Sequence, residues 1–98
     1  MEARVDGKVA LVTGASRGIG QATALQLLRS GAEGVVITSR KQDNLEQSVE
    51  ELVAAGAEPD RVHPVAARAD VDDDARRAVV ATIERFGGCD ILVNNAGT

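Results

Sequence analysis

Two stretches of this sequence have residue types and spacing that could do chemistry. The first is Thr13-Gly14-Ala15-Ser16-Arg17-Gly18-Ile19-Gly20, a glycine-rich run carrying two hydroxyls and a guanidinium. The second is Asn94-Asn95-Ala96-Gly97. Glycines let backbone N–H groups approach an anion, and a helix N-terminus adds a partial positive charge. A glycine-rich turn between a strand and a helix is therefore a cradle for a phosphate. The flanks of the first stretch have that form. Lys8-Val9-Ala10-Leu11-Val12 is short and apolar and reads as a buried strand, and Gln21 to Arg29 is a run of good helix formers.

The elements that must position these residues follow from the rest of the pattern. Val9 to Val12 is apolar on both faces, as in a central parallel strand. A helix is expected from about Gly18 to Ser30, with Ile19, Ala22, Leu25 and Leu28 as its apolar face and Gly31 past its end. Val35-Val36-Ile37-Thr38 reads as a second strand ending at Ser39-Arg40. Leu45, Val49, Leu52 and Val53 mark a second helix, with Asp43 or Asn44 as its cap, Gly56 at its end, and Glu46, Glu50 and Glu51 on its solvent side. Val62 to Ala67 reads as a third strand. Pro64 cannot donate to a sheet ladder, so this strand belongs at an edge. Asp72, Asp73 and Asp74 suit the first turn of a third helix, whose dipole favours negative charge there; this explains them more simply than a metal site does. Its expected apolar face is Ala75, Val79, Ile83 and Phe86, and Gly87-Gly88 ends it. Asp90 to Asn94 is a fourth strand.

The pattern β-α-β-α-β-α-β implies an α/β fold with a parallel sheet and right-handed crossovers. With the third strand at an edge and the glycine turn after the first, the expected order is 3-2-1-4. This is half of a doubly wound, Rossmann-like fold, with a ligand at the switch point between strands one and four.

Composition narrows the function. The 98 residues suffice for one small domain, residues 1–98, and a net charge of −4 with no long basic run offers nothing to nucleic acid. No apolar run approaches a membrane span, and the N-terminus has no apolar signal core, so a cytoplasmic location is expected. The single cysteine, Cys89, has no internal partner, and neither it nor the lone His63 is expected to act chemically.

The glycine spacing Gly14-x-x-x-Gly18-x-Gly20, the Asp70-Val71 pair after the third strand and Asn94-Asn95-Ala96-Gly97 after the fourth run in register with four strands. Together they resemble the classical branch of the short-chain dehydrogenase/reductase family, over essentially the whole chain. The general dinucleotide fingerprint Gly-x-Gly-x-x-Gly does not match. The resemblance implies that Gly14, Ser16, Gly18, Ile19 and Gly20 cradle a dinucleotide's pyrophosphate and adenosine ribose. It implies that Asp70 accepts from the adenine amino group with Val71 beside the ring. Asn95, Ala96 and Gly97 would line the ribose and nicotinamide side, and Asn94 would tie neighbouring strands together. Two plainer readings stay open at this stage: Asp70 as a helix cap and Arg40 as a solvated cation.

The resemblance also bears on which dinucleotide. The residue ending the second strand contacts the adenosine ribose, and an acid there selects NAD. Here that position is Ser39, followed by Arg40, with Arg17 in the glycine turn as a second cation. Two guanidiniums can pair a 2′-phosphate. At roughly 1.5–3 kcal/mol per charge-assisted contact, the pair would favour NADP by a factor of about a hundred or more. NADP(H) is therefore expected in preference to NAD(H).

The family's reaction is hydride transfer between nicotinamide and a carbonyl or alcohol substrate. Its proton comes from a Tyr in a Tyr-x-x-x-Lys pair, and a Ser polarises the carbonyl. This sequence contains no Tyr, so no catalytic residue is assigned. The resemblance implies the N-terminal, cofactor-binding part of such an oxidoreductase, with a substrate site only if the missing half is supplied. A fourth strand without a neighbour beyond it would expose Ile91, Leu92 and Val93, and self-association or marginal stability is expected. Two further readings remain at this level: a non-catalytic nucleotide-binding or interaction module, and the product of a truncated, non-functional reading frame.

Overall fold

The computed structural model describes residues 5–14, 18–68 and 72–95. The elements are β1 (Val9–Thr13), α1 (Gly18–Arg29), β2 (Gly34–Ser39), α2 (Gln42–Ala54), a 3-10 turn (Pro59–Arg61), β3 (Val62–Ala66), α3 (Asp72–Phe86) and β4 (Ile91–Asn94). All strand pairs are parallel and the order is β3-β2-β1-β4, as the sequence pattern requires. Ala10 of β1 lies between Val35 of β2 and Ile91 of β4, and Ser39 of β2 lies opposite Ala66 of β3. β3, with Pro64, is an edge strand.

The continuous apolar runs of β1 and β2 are buried from both sides. Ala10, Val12, Val35 and Ile37 pack with Ala24 and Leu28 of α1 and with Leu45 and Leu52 of α2. Leu11, Val36 and Val65 pack with Ala78 of α3 on the other face. The crossover rule accounts for this split. The chain steps one way from β1 to β3 and returns past β1 to β4, so right-handed connections put α1 and α2 on one face and α3 on the other.

Three expectations about helix faces and caps are corrected. The buried stripe of α1 is Gly20, Ala24 and Leu28, whereas Ile19 is 77% exposed and Ala22 is also exposed. The buried stripe thus pairs two small residues with one leucine. In α3 the buried residues are Ala78 and Thr82, while Ala75 and Ile83 are exposed. Thr82 tolerates burial because its hydroxyl donates to the Ala78 carbonyl at 2.7 Å. The N-cap of α2 is Lys41, in extended conformation with no side-chain cap, instead of Asp43 or Asn44. On α2, Ser48 is buried between Leu45 and Leu52 and donates to Gln21 of α1 at 3.1 Å, joining the two helices.

Among the described residues β4 pairs with β1 alone. Ile91 and Val93 pack partly against the core on the α1 side, and Leu92 on the opposite face is 61% exposed. Among the described residues no helix is long and apolar enough to cross a membrane.

Candidate dinucleotide site

The C-terminal ends of the four parallel strands form one edge, and β1, between β2 and β4, is where the direction of the chain across the sheet reverses. In open α/β sheets a ligand sits in the crevice at this place. Gly14, just past β1, has φ 63°, and Gly18, the first residue of α1, has φ 65°. Both lie in the left-handed region that favours glycine. A Cβ at Gly18 would meet nothing within 4 Å, so backbone conformation and not space calls for glycine there. Gly20 is buried against the sheet, which lets α1 begin directly above it. The first turn of α1 holds no acidic residue, so its N-terminal partial charge is not quenched from within. Positive-φ glycines at 14 and 18 and a helix N-terminus without acidic residues fit a phosphate-bearing group. Ser16 and Arg17 fall outside the described residues, as do Asp70, Val71, Ala96 and Gly97.

On the β4 side, Thr13 and Asn94 are register partners. The Thr13 hydroxyl donates to Asn94 Oδ1 at 2.9 Å and accepts from the Asn95 backbone N–H at 3.2 Å. These bonds tie the C-terminal end of β1 to that of β4. The tie through Asn94 matches its expected role. The part of Thr13 was not foreseen; its signal is a hydroxyl at the last position of an otherwise aliphatic strand.

On the β2 side, Ser39 is half-buried at the strand end and Arg40 is exposed just beyond it. β1 and β2 are paired as far as Val12 with Ile37, so Gly14, just past β1, and Ser39-Arg40, at the end of β2, leave the same edge of the sheet from neighbouring strands. β3 ends in the same corner. The Ser39 carbonyl accepts from Ala67 N at 2.9 Å, and Arg68 N donates to Asp74 Oδ2 at 2.8 Å. Arg77 pairs with Asp74 Oδ1 at 3.3 Å and donates to the Ala66 carbonyl at 2.7 Å. The Arg68 N–H and the Arg77 guanidinium hold the Asp74 carboxyl below its ordinary pKa. Asp74 thus bolts the first turn of α3 to the end of β3, a role distinct from the dipole effect expected of the acidic cluster.

Neither His63 nor Cys89 reaches this edge. His63 lies opposite Val36, early in the edge strand β3, and burial with help from Arg85 lowers its pKa. Cys89 precedes β4 at the opposite end, and burial with help from Asp90 raises its pKa.

The short chain dehydrogenase family model matches residues 8–98. The chain belongs to the short-chain dehydrogenase family. It is 45% identical over 97 residues to the glucose 1-dehydrogenase of Gluconobacter oxydans, covering 96% of this chain and 34% of that protein. The crystal structure of the apo glucose dehydrogenase of Caenorhabditis elegans superposes with a TM-score of 0.88 at 42% identity, over 98% of this chain and 40% of that one. A metagenomic short-chain oxidoreductase in complex with NADP superposes with a TM-score of 0.80 at 41% identity, over 96% and 41%. The chain therefore spans about a third to two fifths of the length of these relatives. It corresponds to the N-terminal region of short-chain dehydrogenases, homologous to their NAD(P)-binding segment.

Proposed function

We propose that this chain is the NADP(H)-binding segment of a short-chain dehydrogenase/reductase, residues 1–98 forming the N-terminal half of its dinucleotide domain. The observation that carries the reading is the corner built by β1 and β2. Gly14, just past β1, and Gly18, at the start of α1, both have positive φ, and on the neighbouring strand β2 ends in Ser39-Arg40 with no acid at the strand end. An acid in that place would accept from the ribose 2′-hydroxyl of NAD and repel a 2′-phosphate. Ser39 and Arg40 instead offer a hydroxyl and a fork of N–H donors.

In this reading Gly14, Ser16, Gly18, Ile19 and Gly20 hold the pyrophosphate and adenosine ribose, and Arg17 and Arg40 hold the 2′-phosphate. Asp70 and Val71 hold the adenine. Asn95, Ala96 and Gly97 line the nicotinamide side, next to the Thr13–Asn94 tie. That Ile19 is 77% exposed beside the turn suits such a contact better than a core role. The bound nicotinamide would supply or accept the hydride for a carbonyl or alcohol substrate. The 98 residues hold no Tyr, so turnover requires an acid–base set from elsewhere. The open β4 edge and exposed Leu92 support self-association of the isolated chain.

Titration of the chain and of its Arg40→Asp variant with NADPH and NADH, read by nicotinamide fluorescence, tests the assignment. The variant is expected to lose preference for NADPH and gain affinity for NADH. Unchanged relative affinities would refute it.

A further inference from the structure

Asp74 makes bonds that a helix-terminal acid does not need. A carboxylate in the first turn of a helix serves the dipole or caps the helix's own N–H groups. Asp74 reaches outside α3 instead. Its Oδ2 accepts from the Arg68 N–H at 2.8 Å, just past the end of β3. Its Oδ1 pairs with Arg77 at 3.3 Å, and Arg77 donates to the carbonyl of Ala66, the last residue of β3, at 2.7 Å. Ala66 is in register with Ser39 at the end of β2. One carboxylate therefore ties the start of α3 to the end of β3, beside the end of β2. Its lowered pKa keeps the tie charged at neutral pH.

The tie stands at the carboxyl edge of the sheet. Arg68 and Ala75 line a cavity of about 100 Å³ together with Thr13, Thr38, Ala67 and Asn94. Thr13 and Asn94 end β1 and β4, Thr38 is next to last in β2, and Ala67 follows β3. The ends of all four strands thus meet at this cavity, and residues next to the tie form part of its wall. Between the two bonded positions, Arg68 and Asp74, the sequence carries Asp70-Val71.

We propose that Asp74, with Arg77, is a positioning residue for adenine recognition, holding the two ends of the segment that carries Asp70 and Val71. This rests on the reading that Asp70 accepts from the adenine amino group. Asp74 does not meet the ligand. With both ends of the segment tied, part of the entropy of ordering it is lost on folding and not on binding. Without the tie that loss falls on each binding event, and it weakens the contact through Asp70 more than contacts from the glycine turn.

The test uses the 98-residue chain with two probes, 5′-AMP and 5′-IMP, in which the purine amino group of the first is a carbonyl in the second. Affinities are measured by calorimetry for the unaltered chain and for Asp74→Ala, Asp74→Asn and Asp70→Ala. The unaltered chain is expected to prefer 5′-AMP by about tenfold, the range for one hydrogen bond to a carboxylate. Asp74→Ala should cut that preference to about threefold or less and leave 5′-IMP nearly unchanged. Asp74→Asn, whose amide oxygen can still accept from the Arg68 N–H, should keep most of it. If Asp74→Ala weakens both probes equally, the residue is merely structural and the proposal is overturned. If Asp70→Ala removes the preference while Asp74→Ala leaves it intact, the proposal falls and the adenine reading stands. If the unaltered chain shows no preference, or Asp70→Ala keeps it, the adenine reading fails and takes the proposal with it.

Discussion

Gly34→Ala is expected to destabilise the chain through one contact. Gly34 opens β2, is buried, and is register partner to Val9. A Cβ there would stand 2.4 Å from Cδ1 and Cε1 of Phe86 and 2.6 Å from its Cγ. Carbon atoms rest at about 3.5–4.0 Å, so a separation of more than about 1 Å must be found. The sheet backbone at Gly34 cannot yield without breaking its ladder with β1. The ring must move instead, and it lies at the end of α3 under the Arg85 guanidinium, 5.0 Å from the ring centroid. Overpacking of this kind costs about 1–3 kcal/mol. Loss of glycine freedom in the unfolded chain returns about 0.4–1 kcal/mol. The net loss of about 1–2 kcal/mol corresponds to a fall in Tm of about 5–15 °C for a domain of this size. Thermal unfolding followed by circular dichroism reads it directly. Phe86→Leu should make the alanine tolerable, so the double variant should be more stable than the sum of the single changes predicts. An unchanged Tm for Gly34→Ala, or strict additivity in the cycle, would refute the reasoning.

Two further outcomes follow from the fold. His63 has a pKa lowered by burial, so between its folded value and its ordinary 6.5 the unfolded chain binds the extra proton. Its contribution to stability is present above pH 6.5 and is lost as pH falls below it; denaturant midpoints should drop on acidification through this window, and His63→Gln should flatten the dependence. The open β4 edge should make the isolated chain associate, with a sedimentation coefficient that rises with concentration and a Leu92→Lys variant that shifts toward monomer; a concentration-independent monomer with a cooperative melt would contradict this.

The strand order was legible because a few residues constrain it strongly. Pro64 forces its strand to an edge, and the continuous apolar runs of β1 and β2 require cover on both sides. The helix faces were less legible because hydropathy is a poor guide to close approach. Gly20 and Ala24 are buried with Leu28, and the more apolar Ile19 is exposed. Thr82 is buried because it satisfies its own hydroxyl within the helix, a property that hydrophobic periodicity does not register. At the site, the glycine turn and Ser39-Arg40 could be read from residue type and spacing. The bolt of Asp74 to Arg68 and Arg77 is local, and depends on how the chain turns from β3 into α3. The knot of Thr13 with Asn94 depends on β1 and β4 lying side by side, and a contact across three β-α units carries no local signal.

The central claim is that this corner selects a 2′-phosphate. The most direct measurement is the ratio of NADH to NADPH dissociation constants for the unaltered chain at low ionic strength. Two guanidinium contacts to that phosphate predict a ratio of about a hundred in favour of NADPH, falling steeply with added salt. A ratio near one, insensitive to salt, would contradict the account.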